Sequence, residues 1–151
     1  MKNEPIIMER TLNAAPATIW KALTNKAEMK KWYFDVSHFK PEVGFEFSFE
    51  GNNEGRIFVH LCKVVEVVPN KKLSYSWRYK GYPGISLLTF ELFAEGNKTK
   101  LKLTHEGLET FPQDNRDFAK NNFVEGWTYI LDKSLTTFLG KNAETNDAIG
   151  Q

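Results

Sequence analysis

Residues 118–139 read FAKNNFVEGWTYILDKSLTTFL. Phe123, Trp127, Ile130, Leu131, Ser134 and Phe138 fall at helical spacing on one stripe of this stretch, and Gly140 follows as a stop signal. About 20 residues rising about 1.5 Å each make a rod of ~30 Å, long enough to cross a whole small domain. What such a rod covers is written upstream. Phe45, Phe47 and Phe49 alternate with Glu46, Ser48 and Glu50, and Leu73, Tyr75, Trp77 and Tyr79 alternate with Ser74, Ser76 and Arg78. That period of two marks strands with one buried face.

The remaining segments complete a sheet. Ile6–Asn13 reads as a first strand with Ile6, Met8 and Leu12 in phase. Pro16 then opens a helix carrying Ile19, Trp20 and Leu23, because proline at the first helical position has a preset φ and no amide to leave unpaired. Thr24-Asn25 interrupts that helix, and Ala27–Lys31 forms a second short one ending at Trp32. Arg56–Val68 is apolar on both faces; Ile85–Ala94 and Thr99–His105 follow around the tight turn Glu95-Gly96-Asn97-Lys98. Strands at this spacing, joined by short turns, predict an antiparallel meander. The expected fold is therefore α+β: a curved six- to seven-stranded antiparallel sheet wrapped around a long C-terminal helix, with two short helices after the first strand. One domain spans residues 1–140, and the polar tail 141–151 is expected to be disordered.

Composition bounds the function. The net charge of +1 and the scattered lysines give no basic stripe, which argues against nucleic acid as a partner. No stretch reaches the ~18 apolar residues of a membrane span, so membrane insertion is not expected. A lone cysteine, Cys62, permits no internal disulfide, and the first ten residues lack the apolar core of a signal peptide, so a cytoplasmic location is expected. The aromatic share of 14%, with 12 Phe and 4 Trp, is high, and rings that large must fill a core, line a cavity or form an interface.

The candidate site follows from phase. Phe47, Phe49, Tyr75, Trp77, Phe90 and His105 from the strands, with Phe123 and Trp127 from the helix, are expected on the covered face as ligand-binding walls or as core. His105 is the only catalytic candidate, as a general base near neutral pH; it reads more readily as a neutral core histidine bonded to a neighbouring hydroxyl or backbone group. Arg10 shares phase with Met8 and Leu12, so it needs Glu106, Glu91 or an anionic ligand head, or else a route to water. His38, His60, His105 and Cys62 form no metal-spaced set, and no phosphate loop or nucleophile elbow occurs, so no metal or cofactor is expected.

These elements also carry a resemblance. Asn13-Ala14-Ala15-Pro16 with Ile19-Trp20-Lys21-Ala22-Leu23-Thr24, then Lys31-Trp32-Tyr33, open it. Phe39-Lys40-Pro41-Glu42-Val43-Gly44 leads into Phe45-Glu46-Phe47, and Val64-Val65-Glu66-Val67-Val68-Pro69 precedes Leu73-Ser74-Tyr75-Ser76-Trp77. Thr89-Phe90-Glu91-Leu92, then Thr99 to Leu108, and Gly126-Trp127 close it. In this order the motifs resemble the START-like helix-grip superfamily, most closely the family of activator of heat-shock-protein-90 ATPase homologues. The resemblance implies a hydrophobic cavity between sheet and long helix, filled in relatives by varied apolar ligands. A few relatives on the fold are cyclases or hydroxylase components, and the namesake is a co-chaperone. The function expected is binding of an apolar or aromatic small molecule. A cyclase- or hydrolase-type enzyme using His105 and a chaperone-associated interaction protein are the alternatives, with a homodimer a further partner to consider.

Overall fold

The computed structural model describes residues 4–140, and the expectation for the tail at 141–151 lies outside them. Six strands form one antiparallel sheet: β1 (Ile6–Leu12), β2 (Glu46–Asn53), β3 (Arg56–Val68), β4 (Lys72–Tyr79), β5 (Ser86–Glu95) and β6 (Lys98–Glu106). Their order across the sheet is β1-β6-β5-β4-β3-β2, so the chain meanders from β2 to β6 and β1 closes the far edge. The covered face carries the in-phase residues of every strand, from Ile6 and Leu12 through Leu101, Leu103, Leu88, Phe90, Tyr75 and Trp77 to Phe47 and Phe49. In β3 a register shift between Val64 and Glu66 lets one strand change phase. The change shows at the end of the strand: Val64 is fully buried, Val65 and Glu66 are both exposed, and Val67 packs partly buried against the core.

Two short helices, α1 (Pro16–Thr24) and α2 (Lys26–Trp32), follow β1. They stay separate because Asn25 serves both. Its backbone N–H closes α1 onto the carbonyl of Lys21, and its side chain caps α2 by accepting from the N–H of Glu28 at 3.1 Å. The Trp32 indole then donates to the Ala22 carbonyl at 2.9 Å, folding the pair together.

The long helix begins two residues later than the sequence suggests, because Phe118 ends a 3₁₀ turn (Arg116–Phe118) capped by Asn115. It runs as α3 (Lys120–Tyr129), passes into a π-helical segment (Ile130–Leu135) and ends as α-helix at 136–140. Four of its buried residues, Trp127, Leu131, Leu135 and Leu139, are spaced by four. Such a stripe drifts around a regular α-helix of 3.6 residues per turn. The wider π turn drifts the other way and keeps the stripe facing the sheet. The Thr136 hydroxyl donates to the Leu131 carbonyl at 2.9 Å, occupying an acceptor within that turn. Ser134 donates to the Trp32 carbonyl and ties the helix to α2. Arg10 reaches this same segment: its guanidinium pairs with Asp132, not with Glu106 or Glu91, and both side chains keep contact with water.

Candidate functional site

The space between sheet and helix is divided. On one side the aromatic side chains fill it themselves. Phe47 packs edge-on to Tyr75 at 5.0 Å, Tyr33 stacks on Trp127 at 6.1 Å, and Phe49 meets Trp77 edge-on at 5.5 Å. The hydroxyls of Tyr33 and Tyr75 share a hydrogen bond of 2.6 Å, and burial pushes both phenols well above their ordinary pKa. Cys62 lies here too, a buried thiol held protonated by desolvation.

His105 is enclosed in this packed part, fully buried, with both ring nitrogens engaged. The Trp127 indole donates to Nδ1 at 3.1 Å, so the imidazole proton sits on Nε2, which donates to Ser86 Oγ at 2.8 Å. Ser86 passes its own proton to the Trp77 carbonyl at 3.1 Å. Every donor in this chain has an acceptor. Burial, with a further push from His60, lowers the His105 pKa to about 3. The ring is therefore neutral at physiological pH and presents no free lone pair to a substrate.

On the other side a pocket of about 280 Å³ remains between the β2–β3 hairpin, β4 and the helix. Of the residues expected from the sequence, Trp77, Phe123 and Trp127 line it, whereas Phe47, Phe49, Tyr75, Phe90 and His105 lie in the packing outside its walls. The other walls come from Phe34, Phe58, His60, Tyr79, Phe118 and Ile130, with Gly51, Asn52, Asp117, Asn122 and Gly126 beside them. Two of these are brought together by register: His60 pairs with Tyr79 across β3 and β4, and on its other side with Phe49 of β2, behind the wall.

His60 is the polar centre of this group. Its ring stacks on Phe49 at 4.3 Å and stands perpendicular to Trp77 at 4.8 Å. Gly51 makes room for it, since a Cβ there would lie 2.7 Å from His60 Cε1. Nδ1 faces the Phe58 carbonyl at 3.1 Å and must donate to it, which leaves Nε2 an acceptor. Burial lowers the His60 pKa to about 4, against the opposite pull of the Phe58 and Phe49 carbonyls. The neighbouring Trp77 indole N–H is buried and turned toward the Tyr79 hydroxyl, and its hydrogen-bonding pull partly offsets the desolvation that raises the Tyr79 pKa. Asp117 is the only ionisable carboxylate of the lining, and Arg56 neutralises it through two hydrogen bonds, one of 2.8 Å. Arg56 also pairs with Glu54, so the hairpin tip is tied to the 3₁₀ turn at one rim of the pocket. Among the described residues no cluster of His, Cys, Asp or Glu could hold a metal ion, and no helix is long and apolar enough to cross a membrane.

A six-stranded sheet gripping one long helix, with an aromatic pocket between them, defines a helix-grip protein of the START-like class. Within that class the chain belongs to the Activator of Hsp90 ATPase homolog 1-like protein family, whose profile matches residues 13–140. Solved structures agree. Protein MLL2253 from Mesorhizobium loti is 28% identical, with a TM-score of 0.76 over 91% of this chain and 98% of that one. CalU16 from Micromonospora echinospora is 25% identical, with a TM-score of 0.65 over 91% and 74%. DynU16, described as a putative protein in the dynemicin biosynthetic locus, shares the fold at 16% identity, with a TM-score of 0.75 over 93% of this chain and 48% of that one. No curated protein matches the chain.

Proposed function

We propose that this protein binds a small apolar ring compound in the pocket between the β2–β3 hairpin and the long helix. The observation that carries the reading is the pocket wall itself, seven aromatic side chains around about 280 Å³ of space that the protein does not fill. A cavity of about 150 Å³ accommodates benzene, so a space nearly twice that size suits a two-ring compound. Membership of a family on a cavity-forming fold, and a structural neighbour described from a biosynthetic locus, support the same reading.

Gly126 adds to the support. It stands in the interior of α3, where glycine costs about 0.5–1 kcal/mol against alanine. Crowding does not require it, because a Cβ there would meet nothing within 4 Å. Space at the pocket is what the missing side chain leaves.

The test is titration with naphthalene, followed through backbone amide shifts in an NMR spectrum. Saturable shifts centred on Asn52, Gly126 and their neighbours are the expected result, and Gly126→Leu should abolish them while leaving the rest of the spectrum intact. Shifts scattered over the surface, or binding untouched by Gly126→Leu, would refute the location.

A further inference from the structure

The wall that the hairpin lends to the pocket is the one least held by the sheet. β3 pairs with β4 from His60 onward, with a last backbone bond from Lys80 to the Val59 carbonyl. Beyond that point, where Phe58 faces Gly51 and Arg56 faces Asn53, the tip is a two-stranded ribbon, marginal by itself. The helix wall is fastened along its length: Trp127 donates to His105, Asp132 holds Arg10, and Ser134 donates to the Trp32 carbonyl. Arg56 shares phase with Phe58 and His60, so its side chain leaves the ribbon on the pocket side. There its guanidinium grips both oxygens of Asp117, with Nε at 2.8 Å, in the bidentate geometry that best fixes an arginine. Glu54 lies 3.2 Å from Arg56 and 3.8 Å from Arg116, so charges of alternating sign bridge the tip and the 3₁₀ turn. Beneath them Phe58 meets Phe118 edge-on at 5.6 Å, a contact without a directional bond.

We infer that Arg56, acting through Asp117, sets the size of the ring compound that the pocket admits. The inference rests on the pocket reading given above. A space of about 280 Å³ suits two fused rings as it stands. A third ring needs a wall to move. The ribbon moves at least cost, and its swing away from the helix must break the clasp between Arg56 and Asp117. A large ligand therefore meets a penalty that a small one escapes, and specificity is a difference of that kind. The difference cannot exceed the strength of the clasp. Arg56 and Glu54 keep contact with water, so the clasp has the strength of an exposed ion pair, about two- to fivefold in an equilibrium constant, and salt weakens it. Arg56 is a positioning residue: it touches Asp117, not the ligand.

Equilibrium dialysis of the full chain against naphthalene and against phenanthrene tests this, with the ratio of the two affinities as the readout. Arg56→Gln should shift that ratio about two- to fivefold toward phenanthrene, and Asp117→Asn should shift it the same way. The double variant should shift it no further than either single one, because both substitutions break one clasp. Raising salt from about 0.02 M to about 1 M should move the ratio further in the unaltered protein than in Arg56→Gln, where salting-out of the hydrocarbons acts alone. A merely structural role for Arg56 would weaken both ligands in proportion. That result, or any unchanged ratio in Arg56→Gln, would overturn the size inference and leave the pocket reading standing. Additive shifts in the double variant would overturn it as well. If neither hydrocarbon binds the unaltered protein, both readings fall together.

Discussion

Two buried neutral histidines make the stability of this fold depend on pH in a window where few other groups titrate. His60 and His105 ionise in an unfolded chain near pH 6.5, and in the folded protein at about 4 and about 3. Above pH 6.5 both states hold the rings neutral and nothing changes. As pH falls below 6.5 the unfolded chain takes up protons that the folded protein refuses, so stability drops until the folded pKa values are reached. Each pKa unit is worth about 1.36 kcal/mol, which sets ceilings of roughly 3 kcal/mol for His60 and 5 for His105. Between pH 7 and pH 5 each histidine contributes about 2 kcal/mol of loss, and the pair about 4. Against a typical total of ~5–15 kcal/mol this is a large fraction. Asp132, held below the usual carboxylate range by its hydrogen bond to Arg10, loses its contribution only around and below pH 4, outside that interval. Urea denaturation at pH 7, 6 and 5, followed by tryptophan fluorescence, should show the midpoint falling by about 2 M for an m-value of roughly 2 kcal/mol per molar. His60→Gln should remove about half of that dependence. An unchanged midpoint between pH 7 and pH 5, or His60 or His105 imidazole NMR signals of the folded protein that titrate near 6.5, would refute the buried neutral assignment.

Two substitutions probe the local geometry. Gly51→Ala should destabilise the protein by roughly 1–3 kcal/mol, because its Cβ would lie 2.7 Å from the His60 ring and force a shift, whereas Gly126→Ala, with open space around it, should be neutral or stabilising by up to about 1 kcal/mol; thermal melts of the two side by side decide it. Ser86→Ala should cost about 1–3 kcal/mol by stranding the His105 Nε2 proton in a buried site, a loss read from urea midpoints at pH 7 and contradicted by wild-type stability.

Much of this architecture is legible in the chain because local pattern and global fold agree. The alternation of Tyr75, Trp77 and Tyr79 against Ser74, Ser76 and Arg78 predicts a buried aromatic face, and β4 shows that face, with Ser74 buried on the other against Thr89. Pro16 and Asn25 mark the two short helices at the positions where the backbone uses them. The phase of Arg10 also reads correctly, but its partner does not, because Asp132 is 122 residues away on a π-helical turn that no local pattern announces. The pocket is harder still. Its walls assemble through strand register and irregular segments: His60 meets Phe49 and Tyr79 only across two strand pairs, and Phe118 comes from a 3₁₀ turn without periodicity. A signal for His60 existed, since it shares phase with Phe58, Cys62 and Val64, but Val59 and Leu61 on the opposite face make the run apolar throughout and hide that phase. Phase alone also cannot tell a ring that lines space from one that fills it. Phe47 and Phe123 both follow their patterns, and only Phe123 reaches the pocket.

The histidine that the sequence makes most conspicuous thus does different work from the one it hides. His105 is locked between Trp127 and Ser86, and through Ser86 the same chain ends on the Trp77 carbonyl. Trp127 and Trp77 are two of the pocket walls. A satisfied buried network rigidifies what it joins, so this one holds the Trp127 indole, its N–H spent on His105, against the β4 backbone at Trp77. His60 stands perpendicular to the Trp77 indole, with its Nδ1 held by the Phe58 carbonyl. The unreactive histidine builds the wall, and the hidden one lines it.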